Sequence, residues 1–208
     1  MMMLKYVLFV LAAAAVIGGA IGGIHLVKVA HRNQKEMAPF QGAPVPYTAN
    51  LGKTLVIYYS MTGHTQDIAR RIQQRTGADV YRLETAEPLK AGPAFYAKVK
   101  KQLKTGQYPR LAGPAPELDG YDVIFVGAPV WWYTAATPML AFLQQTDFKG
   151  KKVVPFSTQG SNYGAFFEDF EKNARNARIL TGASFNNLGD EYNSAVDNKI
   201  TAWLNALN

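Results

Sequence analysis

The stretch "LVIYYSMTGHTQDIARRI", residues 55–72, decides the architecture. It opens on a run of apolar, β-branched and aromatic residues of the kind buried on both faces of a sheet. A helical pattern closes it, and between the two Ser60-Met61-Thr62-Gly63-His64-Thr65 sets four hydroxyl or glycine positions in six residues. The first turn of a helix leaves about four backbone N–H groups without intrahelical partners, and the helix dipole makes that end positive. A phosphate satisfies both needs. Ser60, Thr62 and Thr65 add hydroxyl donors, and Gly63 lets the backbone approach closely. No lysine follows, so this is not the G-x-x-x-x-G-K-[ST] loop of nucleoside triphosphatases, and no acidic pair stands by to hold magnesium. The turn therefore reads as a cradle for a phosphate monoester that is bound and not transferred. The alternative is a plain turn with Thr65 as the helix N-cap.

Working outward, short β-rich runs recur at 54–60, 79–84, 122–127, 152–157 and 178–184. Helical patterns lie between them near 65–76, 94–105, 137–145 and 163–175, with a last one at 194–207. In that last segment Val196, Ile200, Trp203 and Leu207 share one face. Strands alternating with helices imply an α/β fold, a doubly wound parallel sheet in a three-layer sandwich. The domain is expected to span 51–208.

In such sheets ligands sit beyond the carboxyl ends of the strands. Two more loops there are unusual. After the third run comes Ala128-Pro129-Val130-Trp131-Trp132-Tyr133-Thr134, whose three consecutive aromatics suit a flat, apolar ring with a polar edge. After the fourth comes Ser157-Thr158-Gln159-Gly160-Ser161-Asn162-Tyr163-Gly164, rich in donors and in glycines that free the backbone to turn towards a ligand. A hydrophobic lid and a simple surface loop are the respective alternatives. Jointly, a phosphate cradle, an aromatic wall and a polar loop on strands one, three and four describe a flavin mononucleotide (FMN) site.

From Lys53 to the C-terminus the chain resembles the flavodoxin family, in the subgroup whose loops read S-x-T-G-x-T, G-x-P-x-W-W and a polar loop with T-x-G. Here these are "SMTGHT", "GAPVWW" and "FSTQGSNYG". The resemblance implies a flavodoxin-like five-stranded parallel sheet of order 2-1-3-4-5. It also implies that Ser60, Thr62, Gly63, His64 and Thr65 hold the FMN phosphate. Trp132 with Tyr133 and Thr134 would line the isoalloxazine, and Thr158, Gln159, Gly160 and Tyr163 would close over its polar edge; Pro129, Val130, Trp131 and Gly164 complete the expected cofactor-binding residues. Two departures stand out: Tyr133 follows the tryptophan pair where relatives often carry glycine, and the domain is not acidic.

The remaining chain sets the context. Residues 6–27 are an apolar run with His25 as the only ionisable group, roughly 33 Å long as a helix. Residues 1–29 are thus expected to be a transmembrane anchor or a signal peptide, with Gly18-Gly19-Ala20 as the cleavage-like site. Residues 30–50, with Pro39, Pro44 and Pro46, are expected to be a semi-extended linker. Lys28, Arg32 and Lys35 after the run outnumber Lys5 before it, which puts the domain in the cytoplasm if the helix stays; cleavage would export it.

Of the net charge of +7, +3 lies in residues 1–49 and +4 in the rest. "KVKKQLK" at 98–104 reads as a solvated helix face, so no nucleic-acid partner is expected. The absence of cysteine excludes disulfides, thiolate metal centres and a thiol nucleophile, and no metal is expected.

The function that follows is an FMN-dependent redox protein passing electrons between a reduced donor and a membrane-associated or soluble acceptor, a partner protein or a quinone-like molecule. No G-x-G-x-x-G fingerprint follows any strand, which favours a carrier over an NAD(P)H-dependent quinone or flavin reductase. A flavin-free binding domain is the alternative of another class. A phospho-receiver domain would need an aspartate at a strand's carboxyl end, where Ser60, Gly127 and Ser157 stand instead.

Overall fold

The computed structural model describes residues 23–207. A helix over 23–37 (α1) leads through a short 3₁₀ turn at Ala38–Phe40 and an extended stretch to β1 (Thr54–Tyr58). There follow α2 (His64–Thr76), β2 (Asp79–Arg82), α3 (Pro93–Thr105), β3 (Val123–Trp131), β4 (Thr134–Ala135) and α4 (Thr137–Gln145). The chain then forms β5 (Lys152–Gln159), α5 (Phe166–Asn173), β6 (Arg178–Ile179), β7 (Ala183–Asn186) and α6 (Asn193–Asn205).

The strand period of two divides the core between the faces of the sheet. Val56, Tyr58, Phe125, Val154 and Phe156 point to one side and pack with Ile68 and Ile72 of α2 and Ile200 and Leu204 of α6. Leu55, Ile57, Ile124, Val126 and Val153 point to the other, against Met139 and Leu143 of α4 and Phe166 and Phe170 of α5. Burial on both faces is why these strands read as nearly unbroken apolar runs.

The expected five-stranded sheet of order 2-1-3-4-5 is corrected to seven strands. The order is β2-β1-β3-β5-β6, with β4 paired to β3 and β7 to β5. Two local causes account for the difference. β3 runs four residues past Gly127 and folds back antiparallel as β4, through Val130↔Ala135 and Trp131↔Thr134. The run expected at 178–184 splits into β6, paired with Lys152–Val153, and β7, paired with Phe156–Gln159. The break lies opposite Pro155. The Val153 carbonyl accepts from Leu180 N–H at 2.9 Å, so Pro155, two residues on, faces the same neighbour and has no N–H to offer it.

Residues 30–50 do not run free as a linker. Met37 and Leu51 are buried in the α2–α6 face of the core, with Phe40, Tyr47 and Ala49 packed against it. Asn198 of α6 accepts from Val45 N–H at 2.9 Å and donates to the Phe40 and Ala43 carbonyls. Asn205 accepts from Thr48 and Ala49 N–H and donates to the Pro46 carbonyl. Two asparagines about two helical turns apart thus replace the strand or helix that this strap lacks.

Among the described residues no helix is long and apolar enough to cross a membrane. The anchor or signal helix expected over 1–29 falls, apart from 23–29, outside them.

Candidate functional site

β1, β3 and β5 are neighbours in the sheet, so the three loops that follow them meet at one edge. α2, after β1, packs on one face, and α4, after β3, on the other. The winding therefore reverses between β1 and β3, which opens a crevice at their carboxyl ends.

In the first loop Gly63 is the N-cap of α2, with φ of 96°, and no side chain caps the helix. Its N–H bonds to Ser60 Oγ at 3.1 Å, and its carbonyl accepts from Asp67 N–H at 2.9 Å. The first-turn amides are thus left for an acceptor brought from outside. Thr62, Gly63 and His64 are exposed around them, whereas Ser60 is buried.

Thr65, expected among the phosphate donors, is buried. Its hydroxyl is buried 2.8 Å from that of Thr158, so the pair clamps the first loop to β5, with one hydroxyl proton still free. Burial pushes the Asp67 carboxyl up, but hydrogen bonds from Arg71 and Arg70, both at 2.7 Å, and their charges outweigh it and hold it below the usual range. Those arginines also neutralise the carboxylate close to where an anion would sit.

The second loop is a two-residue hairpin turn between Trp131 and Thr134. Trp132 and Tyr133 both have positive φ, 49° and 66°. This is the conformation that Asn-Gly normally supplies, and it throws both rings outward, 48% and 63% exposed. Trp131 turns the opposite way, edge-on to Phe95 at 4.8 Å and to Tyr59 at 5.6 Å. Lys100 of α3 lies over the Trp132 ring, 5.6 Å from its centroid. Behind the turn, Thr134 Oγ1 is buried with no hydrogen-bond partner among the described residues.

The third loop supports the second. Ala165 N–H bonds to the Tyr133 carbonyl at 2.7 Å, and a Cβ on Gly164 would stand 2.4 Å from that oxygen. Tyr163 is 46% exposed and edge-on to Phe167.

A cleft of about 520 Å³ opens between these loops, lined by Met61, Thr62, Val130, Trp131, Trp132, Tyr133, Gln159 and Gly160 among others. Its size and aromatic wall suit a flat organic ligand. Of the expected residues, Pro129, Thr134, Tyr163 and Gly164 stand behind the wall or beside it; His64 and Thr158 instead line a separate small cavity of about 50 Å³ between α2 and α6. Ala91, Phe95, Tyr96, Ser161 and Asn162 also line the main cleft and were not among the expected residues. The adjacent aromatics at the start of α3 were the signal that could have found Phe95 and Tyr96.

Burial pushes the Tyr59 hydroxyl up to about 12, with Glu84 adding to it and Arg82 opposing. No group of three or more histidine or acidic side chains that could hold a metal ion occurs among the described residues.

Known proteins agree with this picture. Flavodoxin 1 of Salmonella typhimurium is 29% identical over 121 residues, 56% of this chain and 55% of its own length. NAD(P)H dehydrogenase (quinone) of Azorhizobium caulinodans is 29% identical over 126 residues, covering 55% and 60%. The chain thus spans a little over half the length of these curated relatives. A flavoprotein of Bacteroides eggerthii superposes with a TM-score of 0.64 at 27% identity, over 74% of this chain and 97% of its own. A flavoprotein of Lactobacillus acidophilus, solved in complex with FMN, shares the fold with a TM-score of 0.59 at 24% identity, over 64% and 92%. The flavodoxin family matches residues 53–207, which takes in every strand and all three loops at the crevice. By sheet, crevice and sequence together, the chain belongs to the flavodoxin family.

Proposed function

We propose that the crevice holds FMN and that the protein passes electrons between a reduced donor and an acceptor that reaches the cleft. The observation that carries this is an uncapped helix start beside an open aromatic cleft. When bound, FMN supplies a centre that takes up one or two electrons. The α2 amides and the Thr62 hydroxyl would hold its phosphate. Trp132 and Tyr133 would cover the ring and exclude water, and Gln159 with the backbone after it would meet the polar edge.

A second reading, reduction of a quinone by NAD(P)H, is favoured by the likeness to the Azorhizobium dehydrogenase and by the width of the cleft. In either reading the apolar run at 6–27 would tether the domain at a membrane, on the side carrying Lys28, Arg32 and Lys35.

The purified full chain should be yellow and should release about one FMN per chain on denaturation. Thr62→Ala should weaken FMN binding by roughly 1.5–3 kcal/mol, about ten- to a hundredfold, as expected for a hydrogen bond to a charged group. Titration of the apoprotein with FMN, followed by flavin fluorescence, measures both. A colourless protein that takes up no added FMN would overturn the reading, and an unchanged affinity in the variant would place the phosphate elsewhere.

A further inference from the structure

A line of hydrogen bonds runs from α1 into the cleft and joins residues more than a hundred positions apart. Asn186, the last residue of β7, donates through Nδ2 to Asn33 Oδ1 at 2.7 Å and to Glu36 Oε2 at 3.2 Å. Its Oδ1 accepts from Gln159 Nε2 at 3.1 Å, and Gln159 Oε1 accepts from Ser157 Oγ at 2.9 Å. Gln159 lines the cleft and is 5% exposed.

A row of carboxamides can run in either direction, because each has a donating and an accepting end. Asn33 does not decide the direction, since it could turn either end to Asn186. Glu36 does decide it, because a carboxylate only accepts. Its other oxygen is held by Lys199 Nζ at 2.5 Å, and the same ammonium bonds to the Ser184 carbonyl at 2.6 Å. With Glu36 in place, Asn186 must turn its NH₂ outward and its oxygen towards Gln159. Gln159 must then turn its NH₂ towards Asn186 and its oxygen towards Ser157. At the end of the carboxamide that turns to Asn186, this leaves the second Nε2 hydrogen of Gln159 to donate, while Oε1, at the Ser157 end, keeps one lone pair.

We propose that Glu36 sets the polarity of the Gln159 carboxamide in the cleft, so that the helix preceding the family's own domain positions a hydrogen-bond donor for the flavin's polar edge. The inference rests on the FMN reading above. Glu36, Asn33 and Asn186 are positioning residues that act through Gln159. Asn33 and Glu36 also lie outside the span matched by the family, 53–207, so the device belongs to this chain's own N-terminal extension. A donor at the polar edge favours the reduced ring, on which negative charge accumulates, over the oxidised ring. Reversing the line would present Oε1, an acceptor, to that charge.

The test uses the full chain loaded with FMN. Glu36→Gln keeps the shape of the side chain but lets it donate as well as accept, which frees the direction of the line. It should lower the preference for reduced over oxidised FMN by three- to tenfold, a tenfold change being about 30 mV in a two-electron midpoint potential. Asn186→Leu, which cuts the line, should shift the potential the same way. Lys199→Met removes the ion pair but keeps the carboxylate, so it should lower the urea midpoint while leaving the potential in place. The proposal is overturned if Glu36→Gln and Asn186→Leu bind FMN at the wild-type potential, or if the potential falls equally in Lys199→Met. A wild-type chain that takes up no FMN overturns the flavin reading itself, and this proposal with it.

Discussion

Tyr133 and Trp132 show what one residue contributes and costs. Left-handed backbone at a residue with a side chain costs about 1 kcal/mol, because Cβ crowds the neighbouring carbonyl. Two such residues in succession persist only where their surroundings impose them, and here the Gly164–Ala165 segment braces the turn from behind. The strain places two rings at the mouth of the cleft that an Asn-Gly turn would leave bare. Tyr133→Gly should therefore separate stability from function. It should leave the fold as stable as before or up to about 1 kcal/mol more so, while FMN binding weakens by about 1 kcal/mol, roughly fivefold, for loss of the aromatic contact. Urea unfolding and flavin titration of the same variant check the two signs, and a loss of both would show the ring to be structural. The sequence made the three aromatics conspicuous, yet it did not show that Trp131 points the other way. That follows from the turn beginning at residue 132, a consequence of β3 continuing past its expected end.

At the scale of elements, α2 has two duties. Its N-terminus faces the crevice, and its outer side is lashed to α6. Arg71 bonds to Asp67 at 2.7 Å, to Asp197 at 2.9 Å and to Asn193 Oδ1 at 2.6 Å, and Arg75 reaches Asp197 at 2.9 Å and Thr201 at 2.7 Å. Because folding lowers the Asp67 pKa, its contribution to stability is present above the unfolded value near 3.9 and is lost as pH falls through the folded value. Asp67→Asn should lower the melting point at pH 7, with a cost limited to about 1 kcal/mol by solvent screening of the partly exposed pair. Melting curves of both proteins from pH 7 to pH 3 should begin to draw together only below about pH 4, and a gap that stayed constant would assign the effect to packing. The bounds of α2, α3 and α4 were legible, since a 3.6-residue period and Gly77 or Gly106 at the C-cap are local signals. β3, β4 and the division of β6 from β7 were not. Strand length depends on what lies alongside, and the partners of Ala128 and Pro129 are Ser157 and Thr158, some thirty residues on.

At the scale of the whole molecule, the strap over 33–51 extends the structural unit beyond the family's own span. Removing it would uncover the part of the α2–α6 core that Met37 covers and the carboxamides of Asn198 and Asn205. A chain starting at Leu51 should be less stable than one starting at residue 23 by on the order of 2–5 kcal/mol, the worth of one or two large buried side chains after the cost of ordering the strap. Urea unfolding of the two forms measures this, and equal midpoints would return the strap to the role of a linker. The alternating pattern, the three polar or aromatic loops and the family itself could be read from the sequence, because periodicity, turn chemistry and loop composition are written in neighbouring residues. What covers α6 from Asn198 to Asn205, which way each tryptophan points, and how Glu36 comes to govern Gln159 were decided only by the tertiary structure. Those outcomes depend on side chains far apart in sequence meeting in space, where hydrogen-bond direction and steric room, and no local preference, choose between alternatives.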